Sequence, residues 1–303
     1  MKQFLLTISL ILLPLLVAFG LNEYFLRSIP NDYAYKNQWM KENAKSLQVL
    51  ILGSSHAYFG VAPEYFDYSA FNLAHVSQDL KYDYFLFNKY CNQLDSLKIL
   101  ILPISYFTLY SKGLENGIEK WRVKNYTIYY DCPYHRWEAK YRFESSSFTG
   151  LKSIRAALGK ENNRSCGLLG CSLIKESQTS DYNAYIEGKA AAERHTNKKC
   201  TDDLIERNIA YLKDMIDWCL EHDVRVILLT TPTTDIYRQY INEAQWDRTK
   251  QECEQLAQHY PNVEYWNYFD CPLFDMEDFQ DEDHLNSRGA IKFSRSLNEG
   301  MSN

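Results

Sequence analysis

Short, mainly apolar blocks alternate with longer stretches in which apolar residues recur every three or four positions. The blocks are Val49–Leu52, Tyr68–Ala74, Leu97–Ser105, Val224–Pro232 and Val263–Trp266. Apolar residues on successive positions fit a strand buried on both faces, as in a parallel sheet. Helical patterns lie between them. Asp79–Cys91 carries Leu80, Tyr84, Phe87 and Cys91 at helical spacing, and Asp202–His222 carries Ile205, Ile209, Leu212, Ile216 and Cys219 on one face. Thr201 or Asp202 stands where the second helix needs a cap. Further helices are expected over Asn242–His259 and Ser287–Leu297. Strands alternating with helices predict an α/β fold: a three-layer, flavodoxin-like, mainly parallel sheet with helices on both faces.

Two stretches depart from this rhythm. Phe4–Leu21 is almost wholly apolar, interrupted by Thr7, Ser9, Pro14 and Gly20. About 18 residues at ~1.5 Å each reach ~27 Å, close to the bilayer's hydrocarbon thickness. The run is longer than a usual signal-peptide core and no A-x-A site follows it, so an uncleaved anchor is favoured over a cleaved signal. Lys2 on its short side places the N-terminus inside and the bulk of the chain outside the cytoplasm, in the periplasm or at the cell surface. Residues 1–24 are thus expected to be the membrane segment and 25–303 an α/β domain. Within the latter, about 111–199 is polar, Tyr-rich and weakly periodic. It reads as an insertion, either a lid over the sheet or a structural elaboration, with Leu151–Gly159 as its one firm helix and "ESSSFTG" and "GKENNRSCG" as loops.

Composition narrows the partners. The chain of 303 residues carries a formal net charge of -6 and shows no basic stripe of the kind duplex nucleic acid requires, so no nucleic-acid partner is expected. Its 24 Tyr suit a sugar-lined cleft as well as ordinary packing. Eight cysteines are compatible with an oxidising compartment and one to three bridges among buried thiols. Cys166 and Cys171 are placed to close a small loop, and Cys219 falls on a buried helix face. No Cys/His spacing indicates zinc, and no metal site is expected.

The candidate chemistry lies in two distant segments. In "VLILGSSHAYFG" a buried strand runs into Gly53-Ser54-Ser55-His56. A Ser at such a strand end exposes its hydroxyl beside backbone N–H groups able to receive an oxyanion, although Gly-Ser-Ser is also a good turn and cap. In "DFQDEDHLNSRG", Asp281 and His284 are spaced i, i+3, which makes them neighbours on a helical turn, so that a carboxylate can accept from imidazole Nδ1 and leave Nε2 for a serine proton. Asp283 is the rival carboxylate, in an acidic run that is equally suited to a solvated loop. Asn286 or Ser287 can cap the helix that follows. Thr231 and Thr233 end another strand at the same sheet edge. His56 and His75 sit beside these segments, whereas His135, His195, His222 and His259 carry no motif.

Together the two segments resemble the SGNH/GDSL hydrolase superfamily over about Leu47–Leu297, the insertion excluded. Gly53-Ser54-Ser55 stands where the family has G-D-S, and Asp281-Glu282-Asp283-His284 where it has D-x-x-H. The resemblance implies Ser55 as nucleophile, His284 as general base and acid, and Asp281 as its orienter. Ser54, the rival nucleophile, takes the place of the family's Asp. The middle blocks depart from the pattern. "FNLAHVSQ" has Ala74 or Ser77 where a Gly donates to the oxyanion, and Pro103-Ile104-Ser105-Tyr106 lacks the third-block Asn, leaving Asn72 or Gln78 to replace it. The anchored branch that these departures resemble implies an esterase or O-acyltransferase acting on cell-surface glycans through an acyl-enzyme. Neither a metal nor an organic cofactor is needed, and a multispanning acyltransferase is the implied membrane partner. The contrasting expectation is an inactive glycan-binding or assembly module.

Overall fold

The computed structural model describes residues 1–147, 150–174 and 184–302. In chain order it contains α1 (Lys2–Arg27), α2 (Asp32–Asn43), β1 (Val49–Ile51), α3 (Ser55–Gly60), β2 (Ala70–Asn72), α4 (Leu80–Tyr90) and β3 (Ile99–Pro103). Then follow α5 (Val123–Tyr129), α6 (Ala139–Arg142), α7 (Gly150–Ala157), α8 (Ala184–His195), α9 (Asp202–Glu221) and β4 (Arg225–Thr230). The chain closes with α10 (Asp235–Arg238), α11 (Glu243–His259), β5 (Val263–Asn267) and α12 (Ser287–Ser302).

Two compact units emerge: one from Met1–Gln38 with Ile118–Ser165, the other from Trp39–Gly117 with Cys166–Asn303. The expected insertion, 111–199, is therefore divided between them, and its residues 148–149 and 175–183 lie outside the described residues. More of it is helical than its weak periodicity suggested, since α5, α6 and α8 join α7 there.

The second unit holds the sheet. Its five strands are all parallel, in the order β2-β1-β3-β4-β5, and helices flank them. Strands β1, β2 and β3 are buried along their whole length, as their mainly apolar sequences favour. β3 lies at the centre with β1 beside it; the chain goes from β1 outward to β2 and then crosses back past β1 to β3, so the direction of winding reverses between β1 and β3. Such a switch point opens a crevice beyond the carboxyl ends of β1 and β3.

The predicted elements fall within a few residues of those observed. Asp79 caps α4 by accepting the Tyr82 N–H, and Asn286 accepts the Gly289 N–H at the start of α12. Thr201 occupies the cap position of α9 without a side-chain bond, which corrects the expectation of a side-chain cap there. The expected bridges also need correcting, because all eight cysteines are free thiols. The Cys166–Cys171 loop is closed instead by the Gly167 N–H donating to the Cys171 carbonyl (2.7 Å), while the Cys171 thiol points at Glu64.

The first unit is described separately. Helix α1 is 26 residues long, apolar enough to cross a membrane, and without burial along its most apolar stretch. Asp32 at the start of α2 accepts both the N–H and the hydroxyl of Ser165 (2.8 Å each).

Candidate active site

β1 ends in a tight turn at Gly53, whose φ of +107° strains any residue with a side chain. A Cβ there would lie 2.9 Å from Pro103, at the end of the neighbouring β3. The Gly53 N–H donates to buried Asp83 (2.7 Å), and its carbonyl accepts from His75 (3.2 Å). This turn sets Ser54 as the N-cap of α3 and Ser55 as its first residue. Ser55 is the half-buried member of an otherwise buried Gly53–Tyr58 segment, so its hydroxyl is the group that remains reachable.

The other half of the site comes from the loop before α12. Asp281 and His284 are not on a helical turn, as their spacing suggested. Asp281 folds the loop itself by accepting the N–H groups of Asp283 (3.2 Å) and His284 (2.8 Å). The Phe279–Leu285 bridge, the Asn286 side chain on the carbonyls of Glu277 and Phe279, and Thr234 on the Glu282 carbonyl hold the loop to its surroundings. This scaffold brings His284 Nε2 to 2.7 Å from Ser55 Oγ. His284 Nδ1 lies 2.8 and 3.0 Å from the two oxygens of Asp281. A hydroxyl, an imidazole and a carboxylate thus form one continuous hydrogen-bonded chain across 229 residues of sequence.

A second polar layer lies beneath it. Asp283 is buried, with one oxygen 3.4 Å from His284 Nδ1 and the other 3.1 Å from His56 Nε2 and 3.5 Å from His195 Nδ1. His56 Nδ1 meets Ser105 Oγ at 2.7 Å and Thr231 Oγ1 at 3.2 Å. With Nε2–H donating to Asp283, Nδ1 accepts from one of these hydroxyls. The ends of β1, β3 and β4 are therefore joined through one imidazole. Phe59 and Phe107 place ring edges on His284 and His56.

These contacts set the charges. Burial alone would push His284 down, but the adjoining Asp283 charge and the bond and charge of Asp281 outweigh it and raise its pKa to about 9. Burial would raise Asp283, yet the surrounding histidines, His284 foremost, hold it well below the ordinary carboxylate range. His195 goes the other way. Burial lowers it to about 3 despite Asp283, so its ring is neutral at pH 7.

The remaining sequence-predicted residues have other placements. Ser54 is buried at the cap position and forms no side-chain cap bond. The fully buried Asn72 donates to the carbonyls of Ala57 and Val61 (2.8 Å each) and accepts the Ala74 N–H (3.0 Å). In this structure Asn72 and Ala74 are engaged in holding the β2 turn. Gln78 Nε2 likewise donates to Asp83 (2.6 Å). Ser77 is half-buried and takes φ +61°, the backbone region that favours glycine, so it and not Ala74 adopts a glycine-like conformation. Thr233 is turned onto the Phe269 carbonyl.

Sequence reasoning missed His195, which arrives from α8 in a region without a strong helical pattern, and it treated His56 as a mere neighbour. The placement of Ser105 and Thr231 at strand ends beside Ser55 was the available signal for the second layer.

The fold and this constellation define a class: a parallel α/β protein with a serine–imidazole–carboxylate chain at its strand ends. Known proteins add a little. A protein-family model matches residues 184–303, less than half of the chain but including the whole Asp281–His284 segment. No curated protein matches the sequence. A solved structure from Streptococcus pneumonia, described provisionally as a platelet activating factor, is similar with a TM-score of 0.40 at 13% identity, over 97% of this chain and 99% of its own.

Proposed function

We propose that the chain is a divergent, membrane-anchored relative of the SGNH/GDSL hydrolases, and that it transfers acyl groups through Ser55. The observation that carries this reading is the 2.7 Å approach of Ser55 Oγ to His284 Nε2, with Nδ1 held by Asp281. Neutral His284 accepts the Ser55 proton as Oγ attacks an ester carbonyl. Collapse of the tetrahedral intermediate expels the alcohol, which takes the proton back from Nε2. Water or a glycan hydroxyl then attacks the acyl-serine by the same proton route in reverse. The Ser55 N–H and the glycine-like turn at Ser77 are the proposed sources of oxyanion donors. With α1 as an uncleaved anchor, the second unit acts outside the cytoplasm on acyl esters of cell-surface glycans, and a multispanning acyltransferase is a fitting source of acyl groups.

One observation favours an inactive glycan-binding module instead. Asn72 and Ala74 are engaged in the fold, and the end of β3 presents Ser105 to His56 rather than an Asn to substrate. A fluorophosphonate probe on the full chain separates the two. Labelling is expected, lost in Ser55→Ala and strongly reduced in His284→Ala. A folded wild-type protein that neither labels nor hydrolyses an activated acetyl ester refutes the catalytic reading.

A further inference from the structure

The two units differ sharply in charge. Met1–Gln38 with Ile118–Ser165 holds 13 Lys and Arg against 7 Asp and Glu, a net of +6, while the remainder holds 20 against 32, a net of -12. The positive unit is the one that contains the apolar helix α1. Its stretch 118–143 also displays large apolar side chains: Ile118 is 83% exposed, Trp137 81% and Trp121 49%. Cations accompany them. The Arg122 guanidinium lies 4.4 Å from the centre of the Trp121 ring, Arg136 5.1 Å from that of Trp137, and Lys140 4.6 Å from that of Tyr141. Tryptophan with arginine or lysine is the composition of a membrane–water interface, where the ring sits among headgroups and the charge reaches phosphate.

The level of this surface along α1 is fixed by four contacts within the unit. Glu23 accepts the N–H groups of Glu144 (2.8 Å) and Ser145 (3.1 Å). Arg27 donates to the Arg142 carbonyl (3.0 Å), and Phe143 packs edge-on against Phe19 at 5.3 Å. The apolar run of α1 ends at Leu21, and six further residues climb ~9 Å, about the depth of the headgroup layer. Residues 142–145 therefore stand beside the part of α1 that leaves the hydrocarbon. Arg122 and Lys124 also line a cavity of about 350 Å³ that reaches Leu26 and Ile29 just beyond it.

We infer that 118–143 is a second membrane contact, a surface that lies on the bilayer and binds anionic lipid headgroups. This rests on the reading of α1 as a retained anchor. It makes the first unit a platform fixed to the membrane by both a spanning helix and an interfacial patch. Because the patch opposes the net negative charge of the whole chain, it is expected to select phosphatidylglycerol over phosphatidylcholine.

The test uses the full chain in native membranes and in nanodiscs of phosphatidylcholine, with or without one-fifth phosphatidylglycerol. Lipids carrying a quencher near the headgroup are expected to quench tryptophan fluorescence. Trp121→Phe and Trp137→Phe should each remove part of the quenched signal. Preference for quencher-labelled phosphatidylglycerol should fall about fivefold for each cation neutralised in Arg136→Gln and Lys140→Gln. Quenching that is unchanged by both Trp variants overturns the inference. So do tryptophans shielded from both iodide and lipid quencher, because a protein then covers the patch. Alkaline extraction of native membranes separates the two readings: release of the chain defeats the anchor itself, whereas retention without quenching defeats the interfacial contact alone.

Discussion

Replacing Asp283 by Asn is expected to move the pH at which His284 becomes a base. In the wild type the adjoining carboxylates raise His284 to about 9, so at pH 7 about 1% of the protein has the neutral imidazole that the proposed mechanism needs. Asp283 is the foremost cause that raises it, with a carboxylate oxygen 3.4 Å from Nδ1. At an effective dielectric of ~20, a unit charge at that distance is worth roughly 5 kcal/mol, about three and a half pKa units before solvent and neighbouring dipoles screen it. Asp281 remains and keeps its bond, so a fall of about two units, to near 7, is expected. The Asn side chain still accepts from His56 and still occupies the buried site. The assay is the second-order rate of fluorophosphonate labelling from pH 5 to 10, in parallel with thermal melts. The wild-type rate should rise tenfold per pH unit and level off near 9, and that of Asp283→Asn should level off near 7. Two limbs within half a unit of each other, in a variant that melts cooperatively, would refute the assignment of Asp283 as the charge that governs His284.

Ser54→Ala should label as the wild type does, since Ser55 is the residue bonded to His284, and labelling lost in Ser54→Ala would reverse that assignment. Because His284 is raised in the folded protein, its contribution to stability is complete below pH ~6.5 and disappears as pH climbs through about 9. Melts of the wild type should therefore decline across that window, and those of Asp283→Asn much less. Burial raises Asp83 to about 7 against the bonds it accepts from Gln78 and the Gly53 N–H. Its folded pKa exceeds the unfolded value, so stability falls from pH ~4 to 7. Asp83→Asn should consequently raise the melting temperature at pH 8 more than at pH 4; an equal change at both would exclude Asp83 as the cause. Gly53→Ala should cost about 2–4 kcal/mol in denaturant titration, from its left-handed backbone and the contact with Pro103. A cost under ~0.5 kcal/mol would show that the turn relaxes freely.

Much of the fold was legible because its signals are local. The parallel sheet was readable in runs such as Val49–Leu52 and Ile99–Leu102, where apolar residues on both faces leave few alternatives. The face of α9 and the cap at Asn286 were readable for the same reason. The pairing of Ser55 with the Asp281–His284 segment was anticipated from the order of motifs along the chain. Its geometry was not, since Asp281 meets His284 by folding its own loop instead of through a helical turn.

What the sequence determined by itself was which residues bury, where the chain turns, and that one long apolar helix heads it. Those follow from hydrophobicity and backbone preference within a few residues. The tertiary structure decided which buried polar groups meet. It set Asp283 among His56, His195 and His284, committed Asn72 and Ala74 to the β2 turn, and joined Ser105 and Thr231 to His56. Such partnerships depend on distances between residues far apart in the chain, and a hydrogen bond formed or missed over one ångström has no counterpart in the pattern of residue types. That is why Ser55 could be singled out only by matching its strand-end segment with the distant Asp281–His284 segment, whereas the buried Asp283 beside His284 emerged from the fold.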